Sequence, residues 1–227
     1  VLPKPWTVEP TADGERQFTI RRKGEVQLVA LAYRTPSSLH PDSDAIGMAT
    51  EVLGDTPNGR LYRALVQTGL ATEVFAYGID AREPGFVVFG ALVNKREAID
   101  RVRDKIIEVV ESGFAKEAVT TAELDRAVEQ SRTAYERALA NPETFAVMLS
   151  EYIALGDWRL FFYGRDQLDR IRTTQLDAAA ARYFVRDNRV LGTFIPDDSP
   201  QRAVVPQAPS AAELLANFKP QKNGDAG

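Results

Sequence analysis

Few side chains in this sequence are suited to chemistry, and those few are poorly partnered. The one histidine, His40, sits between Leu39 and Pro41, with Asp42 and Asp44 just behind it. An imidazole beside carboxylates can begin a zinc site or an acid–base pair. A metal site needs several converging ligands, however, and a serine triad needs a nucleophile on a strained strand-to-helix turn. The two aspartates also fall at a helix start, where carboxylates face unpaired amides, so His40 reads as a loop residue. Gly54-Asp55-Thr56-Pro57-Asn58-Gly59-Arg60 looks superficially like a phosphate loop. It lacks the closing Gly-Lys-Ser/Thr and follows a helix rather than a strand. It reads as a helix–helix turn, with Asn58 or Gly59 at positive φ. Asp157-Trp158-Arg159, flanked by Tyr152, Phe161, Phe162 and Tyr163, has the rings to stack a ligand. Aromatic residues at helical spacing are more often core, and this cluster reads as packing.

Composition narrows the chemistry further. The chain has 227 residues, one His and no Cys. That excludes a disulfide framework, a thiolate nucleophile, and cysteine-held zinc or iron–sulfur centres. It also excludes the two-histidine motif of zinc metallopeptidases within this chain. With 28 Lys+Arg against 32 Asp+Glu the net charge is −4, which argues against nucleic acid as a partner. No apolar run approaches the roughly 18 to 20 residues that span a bilayer. The start Val1-Leu2-Pro3-Lys4 has no initiator Met and no signal-type segment, and reads as a processed protein or a piece of a longer one.

The elements that must position these residues follow from hydrophobic period. Residues 1–14 read as a linker. Arg16 to Arg22 alternates and reads as a half-buried strand. Val26 to Tyr33 is mostly apolar on both faces and reads as a strand that is central in its sheet, or that has a helix on one face and a partner domain on the other, the Lys23-Gly24 turn joining the two as an antiparallel hairpin. A helix from Ser43 turns Ile46, Ala49, Val52 and Leu53 inward, and a short one carries Leu61, Ala64 and Leu65 to a stop at Gly69. Thr72 to Ile79 and Gly85 to Val93 form a second hairpin. A helix from Arg96 to Ser112 follows, with Gly113 as its break. Thr120, with Glu123 three residues on, starts another. Further helices cover 143–155 and 174–184, a closing strand spans 189–195, and a short apolar element lies at 211–218. The fold class is α+β: a mostly antiparallel sheet with helices packed mainly on one face. One domain is expected over 15–196, with 197–227 a Pro/Ala-rich tail or a linker to a following domain.

Several stretches together carry a resemblance. They are Glu9-Pro10-Thr11-Ala12-Asp13-Gly14-Glu15-Arg16, Val29 to Pro36, Leu53 to Val66 followed by Gly69-Leu70-Ala71-Thr72, Gly156 to Phe162, and Asn188 to Pro196. Over about residues 9–205 the sequence resembles the non-catalytic domain of the pitrilysin/insulinase/mitochondrial-processing-peptidase family of zinc metallopeptidases (M16, LuxS/MPP-like). The pattern from Leu53 to Thr72 is the most specific part.

The resemblance implies paired domains enclosing a chamber for extended peptides. One domain carries an inverted His-x-x-Glu-His zinc motif, and nothing here matches it. A complementary domain supplies an Arg and a Tyr, seven residues apart, that contact the substrate backbone. Those places fall at Leu65 and Thr72, where neither residue type is retained. The implied function is a non-catalytic domain of a zinc metalloendopeptidase, inactive alone. Its implied partners are a catalytic domain, in the same polypeptide or a paired subunit, and a peptide substrate. No cofactor is expected in this chain; zinc is expected in the partner. The resemblance allows bacterial periplasm or cytoplasm and does not choose between them. The alternative is a stand-alone peptide-binding or scaffold protein from a degenerate family member.

Overall fold

The computed structural model describes residues 10–79 and 81–219; residues 1–9 of the expected linker, Asp80 in the second hairpin's turn, and residues 220–227 of the expected tail lie outside them. Among the described residues five strands form one mixed sheet in the order β1-β5-β2-β4-β3. They are β1 (Arg16–Arg22), β2 (Val26–Thr35), β3 (Glu73–Ile79), β4 (Gly85–Asn94) and β5 (Arg189–Pro196). Three of the four neighbour pairs are antiparallel, and β1 with β5 is parallel.

The expected hairpin of β1 and β2 does not form. The last strand, β5, inserts between them, pairing Phe18 with Gly192 on one side and Ala30 with Gly192 on the other. β2 has an apolar run with alternate residues fully buried, and it pairs best with strands that also bury a face. β1, exposed along its whole length, is left at the sheet's end rather than half-buried. The second hairpin, β3 with β4, forms as expected.

Helices cover one face. α1 (Ser43–Gly54), α2 (Ile99–Ile107) and α7 (Thr173–Tyr183) pack on β2, β3 and β4. Their inward residues Ile46, Ala49, Leu53, Val102, Ile106 and Leu176 meet Val29, Leu31, Tyr33, Phe89 and Val93 of the sheet in one core. Between α1 and β3 a π-helical turn, Tyr62–Val66, buries Leu65 and ends at Gly69, whose φ of +76° suits glycine.

Gly113 is not a break. After α2 the helix widens into a π-helical turn, Glu108–Ser112, and runs on as α3 (Gly113–Lys116). The wider turn brings Val110 and then Phe114 inward, while Val109 is only partly buried.

A second helical layer stands out from the body. α4 (Thr121–Ala140), α5 (Pro142–Leu155) and α6 (Leu160–Gln167) gather around Phe161. Its buried ring meets Tyr135, Phe145, Tyr152 and Phe162 edge-on at centroid distances of 5.0–5.6 Å. The tail beyond β5 includes a short helix, α8 (Ala211–Leu215), with no buried residue. Among the described residues no helix is long and apolar enough to cross a membrane.

Candidate functional site

The only imidazole is tied into its own loop. His40 Nδ1 accepts a hydrogen bond from the Asp42 amide at 3.1 Å. The Asp42 carboxylate is engaged elsewhere: Tyr183 Oη donates to Oδ2 at 2.7 Å, and Arg182 Nη1 lies 3.2 Å from the same oxygen. Burial, then the Asp42 carboxylate, pushes the Tyr183 phenol up to about 12. Among the described residues no group of three or more His, Cys, Asp or Glu side chains could hold a metal ion, and this donor set does not fit a zinc centre. His40 does line a groove of about 1000 Å³ between the α1 side of the body and α4–α6, beside Tyr135, Tyr152 and Tyr163. Ser38 shares the lining but donates its hydroxyl to Ala81 O at 2.9 Å, and among the described residues no serine hydroxyl is hydrogen-bonded to His40.

The Gly54–Arg60 segment is a helix-terminal turn, as expected, but neither Asn58 nor Gly59 has positive φ. Gly59 is required for another reason: a Cβ there would stand 2.5 Å from Asp55 O and 2.8 Å from Leu53 O. The turn delivers Arg60, buried, onto Glu123. Arg60 Nε donates to Oε1 at 2.9 Å and Nη2 to Oε2 at 2.8 Å. Its remaining donors reach the carbonyls of Glu117 and Ala118, and Phe114 lies 4.7 Å beneath the guanidinium. Glu123 closes the capping box that starts α4, accepting from the Thr120 amide at 3.0 Å. This pair joins the turn to two helix ends and is structural.

A second buried ion cluster ties β1's entry to the core. Arg189 lies between Glu15 and Glu111, and Tyr33 Oη donates to Glu111 Oε1 at 2.8 Å. Neither cluster is readable from spacing; only the Thr120–Glu123 capping pattern gave a partial signal. The aromatic segment divides: Phe161 is core, whereas Trp158 and Tyr163 are 51% and 60% exposed. Asp157 accepts from Arg159 Nε at 2.9 Å, and this fork holds its carboxyl at about 2.

Leu65 is fully buried. Thr72 is exposed at the entry to β3, its hydroxyl donating to Leu92 O at 3.1 Å.

The sheet's other face is apolar as well, a feature the sequence signalled only through β2, apolar on both of its sides. The pairings align Arg16, Phe18, Ile20 and Arg22 of β1 with Val190, Gly192 and Phe194 of β5. They continue the row with Leu28, Ala30 and Ala32 of β2, Val88, Gly90 and Leu92 of β4, and Phe75, Tyr77 and Ile79 of β3. Side chains alternate along a strand, so these share the face opposite the helical core. The face is apolar across its middle, with Phe18, Ile20, Tyr77, Ile79 and Phe86 exposed, and Arg16, Arg22, Arg34, Glu73 and Asn94 stand at its rim. Its middle is flattened. A Cβ on Gly90 would stand 2.1 Å from Phe75 Cζ, and one on Gly192 would stand 2.7 Å from Phe18 Cζ. Each ring lies over a glycine instead of standing off the sheet, and the Phe75 and Tyr77 rings stack with centroids 6.2 Å apart.

These observations meet what comparison with known proteins finds. The family described as Peptidase M16 inactive domain matches residues 2–131. The chain belongs to that family. It is 40% identical to the inactive peptidase domain of a protein described as a zinc protease from Bordetella parapertussis, covering 82% of this chain and 99% of that one, with a TM-score of 0.73. A protease structure from Helicobacter pylori shares the fold, with a TM-score of 0.80 at 22% identity, over 86% of this chain and 47% of that chain. Over 197 residues the sequence is 26% identical to the zinc protease PqqE of Helicobacter pylori, spanning 86% of this chain but 44% of the relative.

Proposed function

We propose that this chain is the non-catalytic half of a zinc-dependent metalloendopeptidase, and that its open sheet face forms part of the wall of a chamber around an extended peptide. The observation that carries this reading is the uncovered apolar face. An antiparallel sheet commonly shows polar residues to water on its free side, and an exposed apolar patch of this kind marks an interaction surface. Rings laid flat over Gly90 and Gly192 make a smooth floor suited to many side chains rather than to one.

The same reading gives α5 a partner. Its sequence is largely apolar, yet none of its 14 residues is buried. A catalytic domain, in the same polypeptide or a paired subunit, would dock there and would hold the zinc. The functional unit would be residues 15–196, with 1–14 and 197–227 as connections. Leu65 and Thr72, at the places of the family's substrate-contacting Arg and Tyr, would leave catalysis to the partner.

The test mixes this chain with the catalytic domain of its parent and follows cleavage of a long unstructured peptide. The reading expects cleavage by the pair to exceed that of the catalytic domain alone. Equal rates would refute it, as would stoichiometric zinc and peptidase activity in this chain by itself.

A further inference from the structure

β1 is the open end of the sheet. Its inner side pairs with β5, and no strand among the described residues pairs with its outer side. Strand geometry identifies the groups left over. The Asp197 amide donates to Arg22 O at 2.9 Å, so Arg22 turns its backbone toward β5. Backbone groups alternate in direction along a strand in a parallel pair. Arg16, Phe18 and Ile20 therefore face inward with Arg22, and Gln17, Thr19 and Arg21 turn their N–H and C=O groups outward. The side chains follow the opposite logic: Arg16, Phe18, Ile20 and Arg22 line the open face.

Natural sheets blunt such an edge with charged side chains, proline, bulges or cover, and β1 uses only the first, which repels other basic edges and leaves an acidic strand as the favoured partner. This one has no proline, is exposed along its length, and pairs with β5 in unbroken register. It carries charge of one sign. Arg21, Arg22 and Lys23 have no ion-pair partner among the described residues, and Arg16 has only exposed Asp13 at 3.6 Å. The neighbouring acids are committed, Glu15 to Arg189 and Glu25 to Lys95. A basic strand edge in a chain of net charge −4 is complementary to an acidic strand.

We propose that the outer edge of β1 binds an extended acidic peptide segment by strand addition. The segment reads acidic-x-apolar-x-apolar-x-acidic, its acids opposite Arg16 and Arg22 and its apolar residues beside Phe18 and Ile20. Main-chain hydrogen bonds to Gln17, Thr19 and Arg21 supply affinity, and the alternate side chains supply selectivity. The site needs no catalytic partner and goes beyond the chamber reading.

The probe is the capped peptide Glu-Thr-Val-Thr-Val-Thr-Glu, compared by calorimetry at low salt with its counterpart in which both Glu are Lys. The Glu peptide is expected to bind at least about tenfold more tightly. Arg16→Glu with Arg22→Glu should reverse that preference. Thr19→Pro removes an outward N–H that the fold does not use, so it should lose binding at unchanged Tm. Should that variant misfold, a peptide N-methylated at alternate residues must lose binding to the native chain instead. Equal binding of the two peptides, absence of binding, or indifference to N-methylation overturns the proposal. So does self-association abolished by Thr19→Pro, which would assign the edge to a second copy, whose β3 offers Glu73, Phe75 and Tyr77 for the first three places of the motif.

Discussion

The Glu123 carboxylate receives Arg60 through two hydrogen bonds, Nε to Oε1 at 2.9 Å and Nη2 to Oε2 at 2.8 Å, with both side chains about nine-tenths buried. Burial alone would raise the carboxyl pKa; the bonds from Arg60 and the Thr120 amide overcome it and hold the group at about 2. A carboxyl lowered from an unfolded value of about 4.3 stabilises the fold fully above that pH and progressively less as pH falls toward 2. Glu123→Gln should therefore lower stability near neutrality by on the order of 3 kcal/mol, with the gap to the parent chain closing below about pH 3. Thermal melts of both chains from pH 7 to pH 2.5 check this. A constant gap would show that Glu123 acts through shape and not charge.

Arg60→Met tests the same pair from the other side. The variant leaves Glu123 paired with the half-exposed Arg63, whose Nη2 donates to Oε1 at 3.0 Å, so the loss should fall short of the roughly 3–5 kcal/mol of a fully stranded buried charge, at about 2–3 kcal/mol. Chemical denaturation should register a loss of that size. A loss under about 1 kcal/mol, the scale of a surface pair, would contradict the burial assigned to it.

Arg189 neutralises both Glu15 and Glu111 beneath Tyr33. Arg189→Met should cost more than Tyr33→Phe, which loses one hydrogen bond to a charged group worth about 1.5–3 kcal/mol. Urea midpoints at fixed slope decide the order, and the reverse order would place the weight of the cluster on the phenol.

Gly90 and Phe75 should be energetically coupled. Gly90→Ala drives a methyl into the Phe75 ring and should cost about 1–3 kcal/mol as overpacking. In a Phe75→Ala background the same change should be neutral or stabilising, since the ring is gone and glycine weakens a strand. A double-mutant cycle with no coupling would mean that the ring does not lie on the glycine.

On α5, Val147 and Ile153 are 62% and 57% exposed. Val147→Asp with Ile153→Asp should leave the isolated chain's stability within about 0.5 kcal/mol while weakening its association with the parent's catalytic domain. Association unchanged in analytical ultracentrifugation would remove α5 from the docking surface.

The legible parts of this fold were those set by local pattern. The period of α1, the Gly69 stop, the Thr120 capping box and the β3–β4 hairpin each depend on residues near in sequence. The place of β5 does not. Nothing between Arg22 and Val26 signals that a strand more than 160 residues later will enter between them, because the choice is made by which long-range pairing buries β2 and β4 best. Arg60 and Arg189 look like any surface arginines in sequence; only the packed elements remove them from water and supply their carboxylates. The π-helical turn at Glu108–Ser112 shifts the inward face by a residue, so Gly113 passes as an ordinary helical position. The open sheet face was legible only in part, from β2's two apolar sides. Phe18, Tyr77 and Leu28 carry a period-2 signal, but that signal does not say which of two apolar faces the helices will cover.

The central claim is that the open sheet face meets the substrate. It is tested most directly by placing a photo-crosslinking amino acid in the full parent protein, once at Tyr77 on that face and once at Arg137 on the exposed side of α4, and illuminating during turnover of a long peptide. Capture of the peptide from position 77 and not from 137 is the predicted result; equal capture, or capture from 137 alone, would contradict it.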